Sequence, residues 1–464
     1  GLIEESIDYY NKSLKIFENL NDPSKISWIS GELGDAYKYQ GRYYEARDVF
    51  IKALALLKSR GKLDPMGMVN LAEVHLMAGS FKGAIQDYSE ALKLIEESGD
   101  LSNEAKILCR FGDTYRRIGE YQSARIYLKN SLEIARRIND RDQEAKTLCY
   151  MGISLINEKE FILAEENLME ALRIFKELDD RFLSAWVVEQ QAIMHLMKEN
   201  LDNAIASSNE VLKLDPDNLK AKLVLASCYR KQKMCEEYKT LSNNLMKIDT
   251  SKLSEYDRSC ALSVCMEENE AFQLLQSALA KRQCSVERIK NDPFLDFIRF
   301  KPRFEALIKR FMGVYLLRIA KYDEALINFS KSCKISKQIG DLDQMAKSLC
   351  YIGITFGLKK WYGKAEIYLK KAIRIFVRLK NRALIGWSME NLGKIYLMRN
   401  DRETGPIKKS MYILRSSIKN NPTIYGYELL AVSYKLLKNN AEYDNCISLA
   451  KSLLPSQTTN EYER

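Results

Sequence analysis

A small residue returns along this chain at nearly constant intervals. It falls at Gly34, Ala72, Gly112, Gly152, Ala192, Ala226, Gly313, Gly353, Gly393 and Ala431. Successive positions differ by 38, 40, 40, 40 and 34, then by 87, then by 40, 40 and 38. In most copies an alanine follows twelve positions later, as at Ala46, Ala84, Ala124, Ala164, Ala204, Ala325 and Ala365. Large apolar residues such as Phe50, Tyr88 and Phe329 surround that alanine. Such a period is the mark of a stacked repeat, and each copy is long enough for two antiparallel helices. The two small residues sit where the helix axes cross, because only a minimal side chain allows close approach there, and the large residues fill the grooves.

Punctuation agrees with this reading. Gly41, Gly79 and Gly119 stand where the tight turn inside a hairpin is expected. Longer turns between hairpins are predicted at Asn21-Asp22, Gly99-Asp100, Asn139-Asp140, Asp179-Asp180 and Gly340-Asp341. Each pair offers a helix C-terminal cap followed by an N-cap. With 8 Pro and 21 Gly in 464 residues, the chain lacks the turn signals of a β-sandwich or barrel. Its 46% hydrophobic content excludes a disordered chain. No long uninterrupted apolar run is present, so no membrane span is expected. Ten cysteines without paired spacing point to reduced thiols and a cytoplasmic location rather than a disulfide framework.

On these residues the chain resembles the tetratricopeptide repeat family, over roughly residues 1–249 and 311–454. The step near 40 with its Gly-Asp type turn is similar to the subgroup found in spindle-orientation adaptors, kinesin light chains and bacterial signalling arrays. The resemblance implies an all-α fold, an α-solenoid of helical hairpins wound as a right-handed superhelix. The organisation expected is an N-terminal array over 1–250, a helical insertion or cap over 251–311, and a C-terminal array with a short tail over 312–464. Gly1 aligns with Gly41 and Glu5-Ser6 with Glu45-Ala46, so the chain starts at the second helix of a repeat. A preceding extension is therefore expected. Within the insertion, Tyr256–Glu268 and Glu270–Arg282 read as helices, and Pro293 and Pro302 break the remainder into short pieces. Residues 289–307 resemble the tail that closes repeat arrays in bacterial cyclases and kinases.

Charge is unevenly spread. Lys281 to Arg382 holds 24 basic and 9 acidic residues, an excess of +15 in a chain whose total is +10. The expected basic surface comprises Arg299, Arg303, Lys370, Lys371, Arg374 and Arg378. Such a face attracts acidic protein segments, nucleic acid or anionic lipid. No zinc-finger or RNA-recognition motif sharpens it toward nucleic acid.

The resemblance also places the first helices of successive copies along a concave groove. The partner-binding residues expected there are Asn70, Glu73, Lys106, Arg110, Asp113, Arg116, Arg117 and Lys146. Asn70, Lys106 and Arg110 match three of the five positions of the family's carboxylate clamp, but Gly31 and Asp35 replace the other two. An acidic or extended peptide is the expected ligand. His75 and His195 stand where sister copies carry Tyr, and read as packing residues. Cys109, Cys149 and Cys350 share one repeat position and read as a half-buried structural site, not a nucleophile. Trp28, Trp186 and Trp387 read as packing positions, Cys260 and Cys265 lack zinc-ligand spacing, and Gly357 to Lys364 is too long for a phosphate loop. No catalytic residue, metal or cofactor is expected. The function read from the sequence is a protein-binding scaffold. Two alternatives stand beside it: the regulatory part of a larger signalling enzyme, and RNA or polyanion binding through 281–382.

Overall fold

A computed structural model describes residues 2–40, 42–77, 80–248, 253–281, 283–399 and 404–453. Gly41 and Gly79 lie outside the described residues. The described residues are helical, with no strand among them. The chain divides into two compact units, Gly1–Phe297 and Ile298–Arg464.

The helices of the first unit are α1 (Leu2–Asn19), α2 (Pro23–Tyr39), α3 (Tyr43–Ser59), α4 (Pro65–Met77), α5 (Phe81–Ser98), α6 (Leu101–Ile118), α7 (Tyr121–Arg137), α8 (Arg141–Glu158) and α9 (Phe161–Glu177). They continue with α10 (Arg181–Met197), α11 (Leu201–Leu214), α12 (Leu219–Lys231), α13 (Cys235–Met246), α14 (Glu255–Val264), α15 (Glu268–Ala280) and α16 (Val286–Asn291), then a single 3-10 turn at Pro293–Leu295. The short α17 (Asp296–Arg299) spans the division. The second unit contains α18 (Pro302–Arg318), α19 (Tyr322–Gln338), α20 (Leu342–Leu358), α21 (Tyr362–Arg378), α22 (Arg382–Met398), α23 (Thr404–Asn420), α24 (Ile424–Leu436) and α25 (Asn440–Ser452). Each even-numbered helix from α2 to α14 pairs with the next as a hairpin, and so do those from α18 to α24.

The grid of small residues works as the sequence predicts. A Cβ built on Gly112 would stand 2.6 Å from Leu128 Cγ and 3.2 Å from the Ala124 carbonyl oxygen. Gly152 meets Leu168 and Gly353 meets Leu369 in the same way. The side chain over these three crossings therefore comes sixteen positions after the small residue, and the alanine at twelve supplies its backbone. Ala46, Ala84, Ala124, Ala164, Ala204, Ala325 and Ala365 are fully buried.

The longer turns follow one recipe. Asn21, Gly99, Asn139, Asp179 and Gly340 all take positive φ, between 53° and 73°. The aspartates after them, Asp22, Asp100, Asp140, Asp180 and Asp341, accept a hydrogen bond from the backbone N–H three positions on. Each left-handed residue ends one helix and each carboxylate starts the next, in a place where the helix dipole favours negative charge. Lys380-Asn381 repeats the pattern without a Gly or Asp.

Between hairpins, each second helix packs on the first helix of the next, and first helices also meet one another, α2 with α4, α6 with α8, α8 with α10, and α18 with α20. Their common side is thus the inner face of each array, and the second helices diverge on the outside.

The long step between Ala226 and Gly313 hides a further hairpin. Ser259 on α14 is the next small residue of the grid, with Ala271 twelve and Leu275 sixteen positions beyond it. All three are fully buried, and Ser259 Oγ donates to the Ala271 carbonyl at 2.8 Å. The register continues into the insertion with serine as its small residue.

Candidate functional site

The inner face of the first unit carries a trough of about 680 Å³. It is lined by first helices, with Asp35 and Lys38 from α2, Asn70 and Glu73 from α4, Lys106 and Arg110 from α6, Lys146 and Tyr150 from α8, and Phe182 and Trp186 from α10. The constant repeat step brings these side chains together, since it returns each first helix to the same face.

The polar floor is a chain of compensated charges. Glu73 takes Arg110 Nη1 at 2.9 Å and Lys38 Nζ at 3.3 Å. Lys146 pairs with Asp142 at 2.6 Å, and Glu189 takes Lys220 at 2.8 Å and the Asn218 amide at 3.1 Å. Lys106 is exposed and makes no ion pair among the described residues. The lining counts four basic side chains against five acidic ones. A trough so balanced selects by local pairing and shape, and its charge gives no support to a generally acidic ligand.

Apolar surface closes the other end. Trp186 packs edge-on against Tyr150, with ring centroids 5.2 Å apart. Phe182 stands 81% exposed beside them. Burial drives the Tyr150 phenol well above its ordinary range and lifts the Cys109 thiol to about 11, so both are uncharged near neutral pH. Cys109 faces this trough as an inert thiol.

Five of the eight groove residues expected from sequence, Asn70, Glu73, Lys106, Arg110 and Lys146, meet in this trough. The other three do not line it. Asp113 is buried and clamped by Arg116 at 2.9 and 2.5 Å and by Arg117 at 2.8 Å. Burial alone would raise the Asp113 carboxyl, but the two guanidinium groups outweigh it and hold it at about 2. The triad locks the C-terminal end of α6. Beside it lies α16: Gly119 abuts Glu287, and Glu287 and Arg288 act on the Tyr121 phenol.

Residues 285–297 are themselves seated on the inner helices. The α16 segment packs on α6, and the Pro293–Leu295 turn packs on α10, α12 and α14. Ile289 and Leu295 are fully buried, Tyr256 donates to Asp292 at 2.5 Å, and Arg288 stacks over the Tyr256 ring at 4.6 Å. Lys231 reaches Asp296 at 3.9 Å. Sequence reasoning placed the two prolines and the breaks correctly. It did not see that this stretch lies along the face that the repeats present inward.

Several smaller expectations change. Cys109, Cys149 and Cys350 are fully rather than half buried. His75 is not a plain packing residue: its Nδ1 lies 2.6 Å from Asp87. His195 does pack, with Nδ1 buried and burial lowering its pKa. Trp28 is 59% exposed, while Trp186 and Trp387 pack against core clusters as expected. Of the basic surface, Arg303 pairs with Asp341 at 3.3 Å and Arg299 is half-buried. Arg310 is buried, donating to Gln344 at 2.8 Å. Only the α21 cluster, Lys370, Lys371, Arg374 and Arg378, is outward and exposed.

Comparison with family models agrees with this architecture. A tetratricopeptide repeat model matches residues 1–59 and 66–137, and a second one matches residues 32–99. Tetratricopeptide repeats are thus recognised by sequence in the N-terminal part of the chain, through Arg137, and the same hairpin register continues beyond it. Among solved structures it is similar to the crystal structure of BtubC (BKLC) from P. vanneervenii, at 14% identity and a TM-score of 0.30, over 56% of this chain and 91% of that one. No curated protein matches it. No helix among the described residues is long and apolar enough to cross a membrane.

Proposed function

We propose that the inner face of the first unit binds an extended segment of a partner protein, and that the chain is a non-enzymatic cytoplasmic adaptor. The trough between α2 and α10 is the docking site. The observation that supports this reading is the seating of residues 285–297 on inner helices α6, α10, α12 and α14, of which α6 and α10 also line the trough. That segment uses Phe294 and Leu295 as apolar anchors and Asp292 and Asp296 as polar ties. An incoming segment would use the open trough likewise. An apolar side chain would settle against Phe182 and Trp186, and backbone or carboxylate oxygens would meet Lys106 and Arg110. In this reading the arrays and the capped stretch between them are separate functional parts, with recognition in the first.

The test is selection from a displayed peptide library, followed by binding of the selected peptides to Phe182→Ser, Trp186→Ala and Arg110→Gln. Buried aromatic anchors in such sites are worth about 2 kcal/mol or more. Trp186→Ala should therefore weaken binding by about 30-fold. Arg110→Gln should weaken it by less, with thermal unfolding unchanged for Phe182→Ser and Arg110→Gln. Arg110 is the right cation to remove, because its side chain is largely exposed and Glu73 keeps Lys38 as a second partner. Peptides that bind all three variants as tightly as the parent would move the site off this trough.

A further inference from the structure

The outer face of the second unit repeats one surface stripe on three consecutive second helices. On α19 it runs Ile327, Lys331, Lys334. On α21 it runs Ile367, Lys371, Arg374. On α23, whose register is displaced by five positions, it runs Tyr412, Ser416, Lys419. The shift is fixed by packing: Leu369 covers Gly353 and Leu414 covers Gly393. Positions four and seven apart share one helix face. The apolar heads of the stripes are 55%, 53% and 78% exposed. The basic residues below them are exposed too. The three helices belong to the same outer layer of the unit, since Cys333 of α19 and Ile413 of α23 pack on the same core cluster as Leu369 and Phe376 of α21.

Across α19, α21 and α23 there are 12 basic and 3 acidic residues. The acidic ones are Asp323 and Glu324, in the first turn of α19, and Glu366, which is tied to Lys370 at 2.6 Å. Lys337, Arg378, Lys408, Lys409 and Arg415 widen the basic field. The first unit provides an internal comparison. Its equivalent stripes read Gln86, Glu90, Lys93; Ile126, Asn130, Glu133; and Glu166, Glu170, Arg173. Helices α5, α7 and α9 together hold 8 basic and 9 acidic residues. The repeat register therefore does not demand cations there, yet the second unit carries them.

We propose that this outer face docks on an anionic membrane surface. The exposed Ile327, Ile367 and Tyr412 enter the headgroup layer, and Lys331, Lys334, Lys371, Arg374 and Lys419 meet lipid phosphates. Separate apolar tips beside exposed cations are what an interfacial face presents to lipid. Nucleic acid has no use for exposed isoleucines, and a discrete acidic peptide needs a concavity that diverging outer helices do not form. The site is distinct from the inner trough of the first unit.

The experiment is co-sedimentation of the full chain with phosphatidylcholine vesicles, with and without phosphatidylserine, at low and high salt. Binding is expected only with phosphatidylserine, and it should fall as salt rises. Each surface cation is worth about fivefold in partition, so K331E/K334E/K371E/R374E should lose about 600-fold or more. The matching Lys or Arg to Gln set should lose less. Both sets alter exposed side chains, and unchanged helical circular dichroism checks their folding. I327S/I367S/Y412S should lose the binding that survives at high salt. Equal binding to vesicles without phosphatidylserine would overturn the proposal, as would undiminished binding of the quadruple variant. Tighter retention of an RNA oligonucleotide than of phosphatidylserine vesicles would replace the lipid with nucleic acid.

Discussion

Asp113→Asn should destabilise the α6–α7 region of the first unit by about 3–5 kcal/mol, the cost of breaking a buried ion cluster from one side. Asp113 is buried and takes hydrogen bonds from both Arg116 and Arg117. Asparagine keeps the shape but leaves those guanidinium groups without their counter-charge. The effect has a pH signature of fixed sign. The folded carboxyl is held at about 2 against an ordinary value of 3.8, so its contribution is complete above about pH 4 and is lost as pH falls through 2. The stability gap between parent and variant should narrow by about 2 kcal/mol over that window. Hydrogen exchange at α6 and α7, followed from neutral pH down to about pH 2, reads this locally, which suits an array whose unfolding is not one global step. A gap independent of pH would show that Asp113 acts through packing alone. The same geometry explains why Arg116 is a poor probe of ligand binding. Arg116→Glu would set a second carboxylate against Asp113 and damage the array.

Much of this was legible because the repeat imposes it locally. The small residue, the alanine twelve later and the capping aspartates each answer a backbone demand inside one hairpin, so one sequence window contains the whole reason. What escaped depends on distant chain. Arg110, Arg116 and Arg117 share a helix, yet only Arg110 reaches the trough. The others are claimed by Asp113, beside α16, which arrives from the far end of the same unit. Arg303 looked like part of a basic surface because cations are dense around it in sequence, but Asp341 from the next hairpin pairs with it, and the neighbouring Arg310 is buried against Gln344. Lys334 and Lys419, ordinary in sequence, complete a charged face only once α19, α21 and α23 are brought to the same outer layer. The register of the α14–α15 hairpin was hidden for a simpler reason. Its small residue is serine, whose hydroxyl is satisfied by the Ala271 carbonyl, and its first helix, at 10 residues, is shorter than the 13 of α12.

The register itself predicts the second large effect. Gly112→Val should cost about 3 kcal/mol, at the upper end of overpacking in a filled core. A Cβ at this position alone would stand 2.6 Å from Leu128 Cγ and 3.2 Å from the Ala124 carbonyl oxygen. Leu128 is fully buried and cannot swing away without opening the core between α6 and α7. The carbonyl belongs to a helix and moves only if the whole of α7 moves. Separating these helices would also strain the crossing to α8, so the loss should spread to the neighbouring hairpin. Gly363→Ala is the control. It lies in the first turn of α21 with nothing within 4 Å of its Cβ position. Alanine there should leave stability unchanged or raise it by up to about 1 kcal/mol, through lower unfolded-state entropy and better helix propensity. Denaturant midpoints for the two variants, read with α6 and α21 exchange rates, separate the cases. If Gly112→Val were as mild as Gly363→Ala, the small residues would not be setting helix separation, and the repeat grid would need another physical cause.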